Sequence, residues 1–312
     1  MATDIQTEKP VFRMTPRGWH PYIKLARLDR PIGTWLLLLP CWWSITLAAG
    51  GFTNMGLREW AYMGLFALGA LLMRAAGCVV NDLWDRDLDG RVERTRTRPL
   101  PAGEVTVRQA LAFLGVLLGL GLAILLQFNA LAVKLGVLSL LLVGTYPLMK
   151  RITWWPQMFL GFTFNWGALM GWAAVRGDFS LNELPGSLPH VFYLAPAWLY
   201  AAGILWTLAY DTIYAHQDKE DDATIGIRST ALLFGRHSRH FVAVCFMLAI
   251  LSLGVGKHFG APSPYSPALI AFLVGHAMWQ LKNWRMDDAQ SCLSTFRANR
   301  DFGFLAVLLT GF

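Results

Sequence analysis

The sequence predicts an all-α integral membrane protein with about nine transmembrane helices around a central cavity. Hydrophobic residues make up 55% of the 312 residues and charged residues only 15%, which is too apolar for a soluble globular domain. Long apolar stretches recur along the chain, and several approach the roughly 20 residues that cross a bilayer as a helix. The alternating pattern typical of a membrane β-barrel is absent.

The candidate spans follow one another with mostly short connections. In chain order they are Pro31–Gly50, Trp60–Val80, Ala110–Gln127, Leu131–Met149, Trp154–Val175, Val191–Tyr210, Phe241–Gly256, Pro267–Leu281 and Phe302–Phe312. The last stretch is short for a crossing, so its helix is expected to begin earlier, lie partly in the interface or be truncated. We expect residues 1–20 to be a polar tail and residues 21–312 to form one transmembrane domain.

The basic residues predict the orientation of these helices. With a cytoplasmic N-terminus, 22 of the 27 Lys and Arg residues fall in connections on one side, as the positive-inside rule requires. The first 20 residues include Asp4 and Glu8, unlike a cleaved signal or an acid-poor transit peptide. They favour a bacterial inner membrane over a mitochondrial inner membrane.

The sequence disfavours nucleic-acid binding and a framework of disulfides or zinc. The basic residues alternate with apolar spans and form no continuous soluble face for a nucleic acid. Four cysteines are scattered without paired spacing, so neither a disulfide framework nor a zinc site is predicted.

Acidic residues concentrate in the second inner connection. On a helix, Asp82, Asp85 and Asp89 recur at i, i+3 and i+7 and share a stripe about 60° wide. Clustered carboxylates repel one another unless a cation neutralises them, and all-oxygen ligands favour Mg²⁺ over zinc. Asn81 adds an amide oxygen. The alternative is a solvated helix end whose acids pair with neighbouring cations.

A second acidic cluster follows the sixth span. Asp211, Asp218 and Asp222 recur at i, i+7 and i+11, within about 40° of one another on a continuous helix. Two matched clusters make simple solvation a weaker explanation than it is for one cluster alone. The sequence therefore predicts a magnesium site built from both clusters.

Basic residues supply counter-charges near the acidic clusters. They are Arg91, Arg94, Arg96, Arg98, Lys150 and Arg151, and arginine forks are suited to phosphate oxygens. Arg74 is different, because it lies about two turns before Asn81 in an apolar span, where a charge is costly. Its partner is either a structural acid such as Asp82 or the carboxylate of a substrate.

Several motifs resemble the UbiA superfamily of intramembrane prenyltransferases, and in particular its branch acting on 4-hydroxybenzoate. They include the segments Arg27–Gly33, Met73–Cys78, Asn81–Gly103, Tyr146–Arg151, Asn165–Gly167 and Tyr210–Thr230. Resemblance extends over nearly the whole chain from about Pro21. It implies transfer of a polyprenyl group from polyprenyl diphosphate to the ring carbon ortho to the hydroxyl of 4-hydroxybenzoate, with release of diphosphate, in ubiquinone biosynthesis.

The resemblance also implies roles for single residues. Asn81, Asp82, Asp85 and Asp89 would surround one Mg²⁺, and Asp218 and Asp222 another. Arg94, Arg98 and Lys150 would contact phosphate, and Tyr146 would bind substrate. Arg74 would face a small basic pocket for the aromatic acid, and Asn165 would line the cavity. Asp85, Asp211 and Asp218 would be catalytic, with Asp211 a candidate proton acceptor.

Two other classes of membrane protein fit the sequence less well. The CDP-alcohol phosphotransferases also place aspartates at membrane helix ends, but their downstream Gly-x-x-x-Asp-x-x-x-Asp pattern is missing here. A cation or proton transporter would carry acids near the middle of the bilayer, whereas these acids lie at one end of the spans. Within the family, homogentisate, dihydroxynaphthoate, lipid and porphyrin acceptors remain alternatives.

Overall fold

The computed structural model describes Ile5 and residues 8–90, 95–177, 195–224 and 226–312; within these ranges, the side chains of 87–89, 150, 151, 221 and 222 are not described. Nine helices of 17 residues or more lie in this part of the chain. They are α1 Ile32–Ala48, α2 Leu57–Asp89, α3 Val107–Leu125, α4 Ala130–Ile152, α5 Pro156–Arg176, α6 Ala195–Ala215, α7 Ser238–Gly260, α8 Ser266–Asn283 and α9 Ala289–Gly311.

These helices confirm the all-α membrane fold. Five helical stretches within the described ranges have the length and apolar composition of a membrane crossing: α2, α3, α4, α5 and the stretch 230–260 that contains α7. The final helix begins at Ala289, well before the apolar stretch at Phe302. Its first half carries polar and charged side chains, which is why apolar composition alone identified only its second half.

Local sequence explains where several helices begin and end. Thr106 and Gln109 form a reciprocal capping box at the start of α3, and the Asn129 side chain caps α4. Such caps satisfy backbone N–H groups that have no partner within the helix. Gly177 ends α5 in the left-handed conformation, which glycine adopts without a Cβ clash.

Short helical turns lie between the long helices and before α1. They are Pro10–Met14, Arg17–Trp19, His20–Leu25, Phe52–Asn54, His216–Asp218, Lys219–Thr224, Thr230–Phe234 and Gly235–His237. The chain divides into two compact units, the first comprising Met1–Trp35 with Ala67–Gln127 and the second Leu36–Phe66 with Phe128–Phe312.

The first unit has its own apolar core. Small residues of α2, among them Ala75, Ala76 and Val79, pack with Leu25 and with Leu117 of α3. Small side chains allow helices to approach closely in a membrane. This packing fixes the part of α2 from which the first acidic motif extends.

In the second unit, α6 is the central helix and packs against α5, α7 and α9. Its Trp206 is fully buried and donates from Nε1 to Asn299 Oδ1 of α9 at 2.9 Å. A hydrogen bond between helices is favourable here because lipid tails offer no alternative partner. The second acidic motif begins at the end of this well-fixed helix.

Candidate active site

The first acidic motif continues the helix α2 beyond its apolar part, as the sequence predicts. Asn81 and Asp85 lie one turn apart, and the Asn81 side chain donates from Nδ2 to Asp85 Oδ2 at 3.2 Å. Both are half-buried. An amide and a carboxylate therefore share one face of the helix end, while the side chain of Asp89 lies outside the described residues.

Asp82 lies on the same helix end but is almost fully buried, with 1% of its surface exposed. Its Oδ1 accepts from Arg27 Nη2 at 2.6 Å and from Arg98 Nη1 at 3.4 Å. Two guanidinium groups supply the counter-charge that a buried carboxylate needs. The metal role of Asp82 stays a prediction, and these ion pairs compete with it.

Arg27 adopts an unusual backbone conformation to make this contact. Its φ is 54°, in the left-handed region that side chains other than glycine rarely occupy. Such a conformation persists when the surrounding structure holds it in place. The Asp82 ion pair is one such restraint, so the segment before α1 is tied to the first acidic motif.

Arg74 lies in α2, two turns before Asn81, and is half-buried. Its guanidinium group lies against the backbone of Gly33, where a Cβ atom would come within 2.9 Å of Nη2 and 3.0 Å of Cζ. Only glycine leaves room for the arginine in this position. The sequence motif Arg27–Gly33 therefore contributes both an ion pair to Asp82 and a surface that places Arg74.

The second acidic motif differs from the predicted continuous helix. The helix α6 ends at Ala215, a 3₁₀ turn covers His216–Asp218, and a new helix covers Lys219–Thr224. A 3₁₀ turn advances about 120° per residue instead of 100°, so the angle calculated for Asp222 does not hold. Asp211 and Asp218 are half-buried, and the side chain of Asp222 lies outside the described residues.

Burial of His216 accompanies this break in the helix. The ring of His216 packs edge-on against the buried Trp284, with ring centroids 5.3 Å apart. Burial, with a smaller contribution from nearby Lys219, lowers the pKa of His216 to about 4, although Asp287 opposes the shift. His216 is therefore neutral near pH 7, and no sequence motif distinguished it.

Asn165, predicted to line the substrate pocket, lies fully buried between α5 and α6. Its Nδ2 donates to the Gly161 carbonyl and to Thr207 Oγ1, both at 2.8 Å. Thr207 in turn donates to the Tyr210 hydroxyl at 3.0 Å. This chain of hydrogen bonds ends one residue before Asp211, so in the described structure Asn165 supports the helix that carries Asp211.

The remaining predicted residues belong to the end of α4 and to the sequence between α2 and α3. Tyr146 is half-buried in α4, one turn before Lys150, whose side chain is outside the described residues, as is the whole of Arg94. Arg98 is 9% exposed and is directed towards Asp82. In the described residues no group of three or more His, Cys, Asp or Glu side chains could hold a metal ion; the side chains of Asp89 and Asp222 lie outside them.

A family model and individual relatives identify the same family for this chain. The model of the UbiA prenyltransferase family matches residues 37–308. The rat protein named 4-hydroxybenzoate polyprenyltransferase, mitochondrial, is 48% identical over 302 residues, which are 96% of this chain and 76% of the rat protein.

Solved structures share the fold. The apo structure of a UbiA homologue from Aeropyrum pernix K1 has a TM-score of 0.70 and 24% identity, covering 87% of this chain and 94% of that one. The Archaeoglobus fulgidus homologue bound to GPP and Mg²⁺ has a TM-score of 0.62 and 16% identity, covering 92% and 99%.

The relatives correct one prediction from the sequence. The prediction of a bacterial inner membrane is wrong, because the similar relatives are named as mitochondrial proteins. The bias of basic residues orients helices in either membrane, and the acids of the first 20 residues were insufficient to choose between them.

Proposed function

Because the chain belongs to the UbiA prenyltransferase family, we propose that it transfers a polyprenyl group from polyprenyl diphosphate to 4-hydroxybenzoate. The new bond forms at the ring carbon ortho to the hydroxyl, and diphosphate leaves, as a step of ubiquinone biosynthesis in a mitochondrial membrane. The observation that carries this proposal is the 48% identity to a 4-hydroxybenzoate polyprenyltransferase over 96% of the chain.

The donor set of the two acidic motifs fits Mg²⁺. Asn81 and Asp85 offer amide and carboxylate oxygens on one helix face, and Asp218 offers a further carboxylate at the end of a helical turn. Hard oxygen ligands of this kind suit Mg²⁺, which also binds substrate phosphates. We propose Asn81, Asp85 and Asp89 for one ion and Asp218 and Asp222 for another, and bound Mg²⁺ would neutralise charge on the leaving diphosphate.

The chain's own residues would then divide the remaining tasks. Arg94, Arg98, Tyr146 and Lys150 would hold the diphosphate end, where positive charge favours its departure. Arg74 would hold the carboxylate of 4-hydroxybenzoate, and Asp211 would accept a proton as the ring carbon is substituted. Apolar helices would exclude water from the allylic cation and admit the isoprenoid tail from the bilayer.

The proposal is tested by prenyl transfer in membranes that contain this protein. Radiolabelled 4-hydroxybenzoate and a polyprenyl diphosphate are supplied with Mg²⁺ and then with excess chelator. We expect a labelled lipophilic product that depends on Mg²⁺. If no product forms at any Mg²⁺ concentration, 4-hydroxybenzoate is not the acceptor; a product that survives the chelator would exclude the metal requirement.

A further inference from the structure

Arg228, which none of the predicted roles includes, makes two directional contacts with the end of α4. Its Nη1 donates to the carbonyl oxygen of Ile152 at 2.9 Å. The guanidinium carbon lies 5.5 Å from the centre of the Trp154 ring. Ile152 is the last residue of α4, where helix carbonyls lack partners within the helix and carry partial negative charge. A guanidinium group over an aromatic ring adds a cation–π interaction.

The residues that follow Arg228 are held by buried hydrogen bonds. The backbone N–H of Thr230 donates to Gln157 Oε1 of α5 at 3.1 Å. The hydroxyls of Thr230 and Thr212 lie 2.6 Å apart, and both threonines are fully buried. Since Thr212 directly follows Asp211, this bond closes the segment 212–230 that contains Asp218 and Asp222.

Aromatic packing also holds the α4–α5 connection against the residues that follow Arg228. Trp155 packs edge-on against Phe234 and Phe241, with centroid distances of 5.7 and 5.9 Å. Phe234 ends the short helix Thr230–Phe234. The connection between α4 and α5 is therefore bound at Ile152, Trp154 and Trp155 by the stretch that follows the second acidic motif.

These contacts join the two parts of the second unit to which binding of diphosphate is assigned above. The last turn of α4 carries Lys150, and the segment closed by Thr212 and Thr230 carries Asp218. A basic residue that only oriented the membrane helices would need no such carbonyl and ring contacts. We propose that Arg228 is a positioning residue for diphosphate binding, because it fixes the end of α4 relative to the second acidic motif; this inference rests on the proposed function.

The main test compares kinetic constants for the two substrates. In Arg228→Gln, the KM for polyprenyl diphosphate is expected to rise about tenfold, as for loss of one charge-assisted hydrogen bond, while the KM for 4-hydroxybenzoate stays within about twofold. Arg228→Lys keeps a cation and a donor, and should recover most of the difference. Arg236→Gln, which removes an exposed cation from the following turn, should match the unmodified protein.

A binding measurement separates this inference from the proposed reaction. Inorganic diphosphate with Mg²⁺ is expected to raise the thermal unfolding temperature of the unmodified protein, and to do so less in Arg228→Gln and in Trp154→Leu. Equal protection of all three proteins would overturn the inference even if prenyl transfer is observed. An equal rise of both KM values, or a lysine variant no better than the glutamine variant, would also overturn it. If no prenyl transfer is observed but diphosphate still protects the unmodified protein more than Arg228→Gln, only the proposed acceptor is rejected.

Discussion

Asp85 and Asp218 are the described carboxylates to which both the metal and the catalytic roles are assigned. Loss of an outer-shell partner of a metal ligand already costs about 10–100-fold in affinity or activity. We therefore expect Asp85→Ala or Asp218→Ala to lower prenyl transfer by about 100-fold or more, with normal membrane insertion. Glu220→Gln is the matched control, because Glu220 is an exposed acid of the same segment. Near-normal turnover in either alanine variant would remove that carboxylate from the mechanism.

Asp82 has two competing roles that can be separated by experiment. If it is the ion-pair partner of Arg27 and Arg98, Asp82→Asn removes the carboxylate charge that both largely buried guanidinium groups contact. Breaking a buried ion pair costs about 3–5 kcal/mol, so thermal unfolding in detergent should occur at a clearly lower temperature. The Mg²⁺ concentration for half-maximal residual activity should not change. An increased Mg²⁺ requirement with normal stability would instead identify Asp82 as a metal ligand.

A substitution at Gly33 tests the role of Arg74 without replacing the arginine itself. A Cβ atom at Gly33 would collide with the guanidinium group, so Gly33→Ala should displace it. If Arg74 binds the acid substrate, the KM for 4-hydroxybenzoate should rise about tenfold, as for a lost charge-assisted hydrogen bond, while that for the diphosphate stays unchanged.

Gly77→Ala is the control. Gly77 lies on α2, the same helix as Arg74, and a Cβ atom at Gly77 would meet nothing within 4 Å. The Arg74→Ala variant should show the same selective rise in KM as Gly33→Ala. If both KM values rise equally in the Gly33 variant, Arg74 has a structural role.

At the scale of elements, α5 and α6 approach each other closely at Gly203. Asn165 Oδ1 lies against Gly203 of α6, and a Cβ atom there would overlap the amide. Overpacking of this kind costs about 1–3 kcal/mol, so Gly203→Ala should lower the unfolding temperature and the activity. Adding Asn165→Ala removes the overlapping amide and should restore part of the stability. Gly144→Ala is the control, because a Cβ at that position meets nothing within 4 Å.

The helices themselves were largely predictable from the sequence, since long apolar stretches bounded by caps and glycines have few alternatives in a membrane. The first acidic motif was also correctly predicted as helical. The break at His216–Asp218 was not, because no proline or glycine marks it and the burial of His216 against Trp284 depends on a residue 68 positions away. The partners of Asp82 and Arg74 were equally hidden, since each depends on packing between distant segments.

At the scale of the molecule, the charges and the length of α9 predict that this helix crosses the membrane. The connection before this helix and its first half carry Arg285, Arg297 and Arg300, and the positive-inside bias places these on the N-terminal side. Its 23 residues extend about 34 Å as a helix, close to the thickness of a hydrocarbon core, and the long side chains of Arg297 and Arg300 would extend from its first half to the membrane surface on that side. The C-terminus is therefore expected on the side opposite the α8–α9 connection.

Labelling of introduced cysteines measures this directly. The four native cysteines are buried, so a membrane-impermeant thiol reagent should report mainly on Tyr265→Cys, Arg285→Cys and Phe312→Cys. These positions are exposed in the α7–α8 connection, the α8–α9 connection and the C-terminus. In sealed vesicles, positions 265 and 312 should react from one side and position 285 only from the other. Reaction of 285 and 312 from the same side would mean that α9 does not cross the membrane.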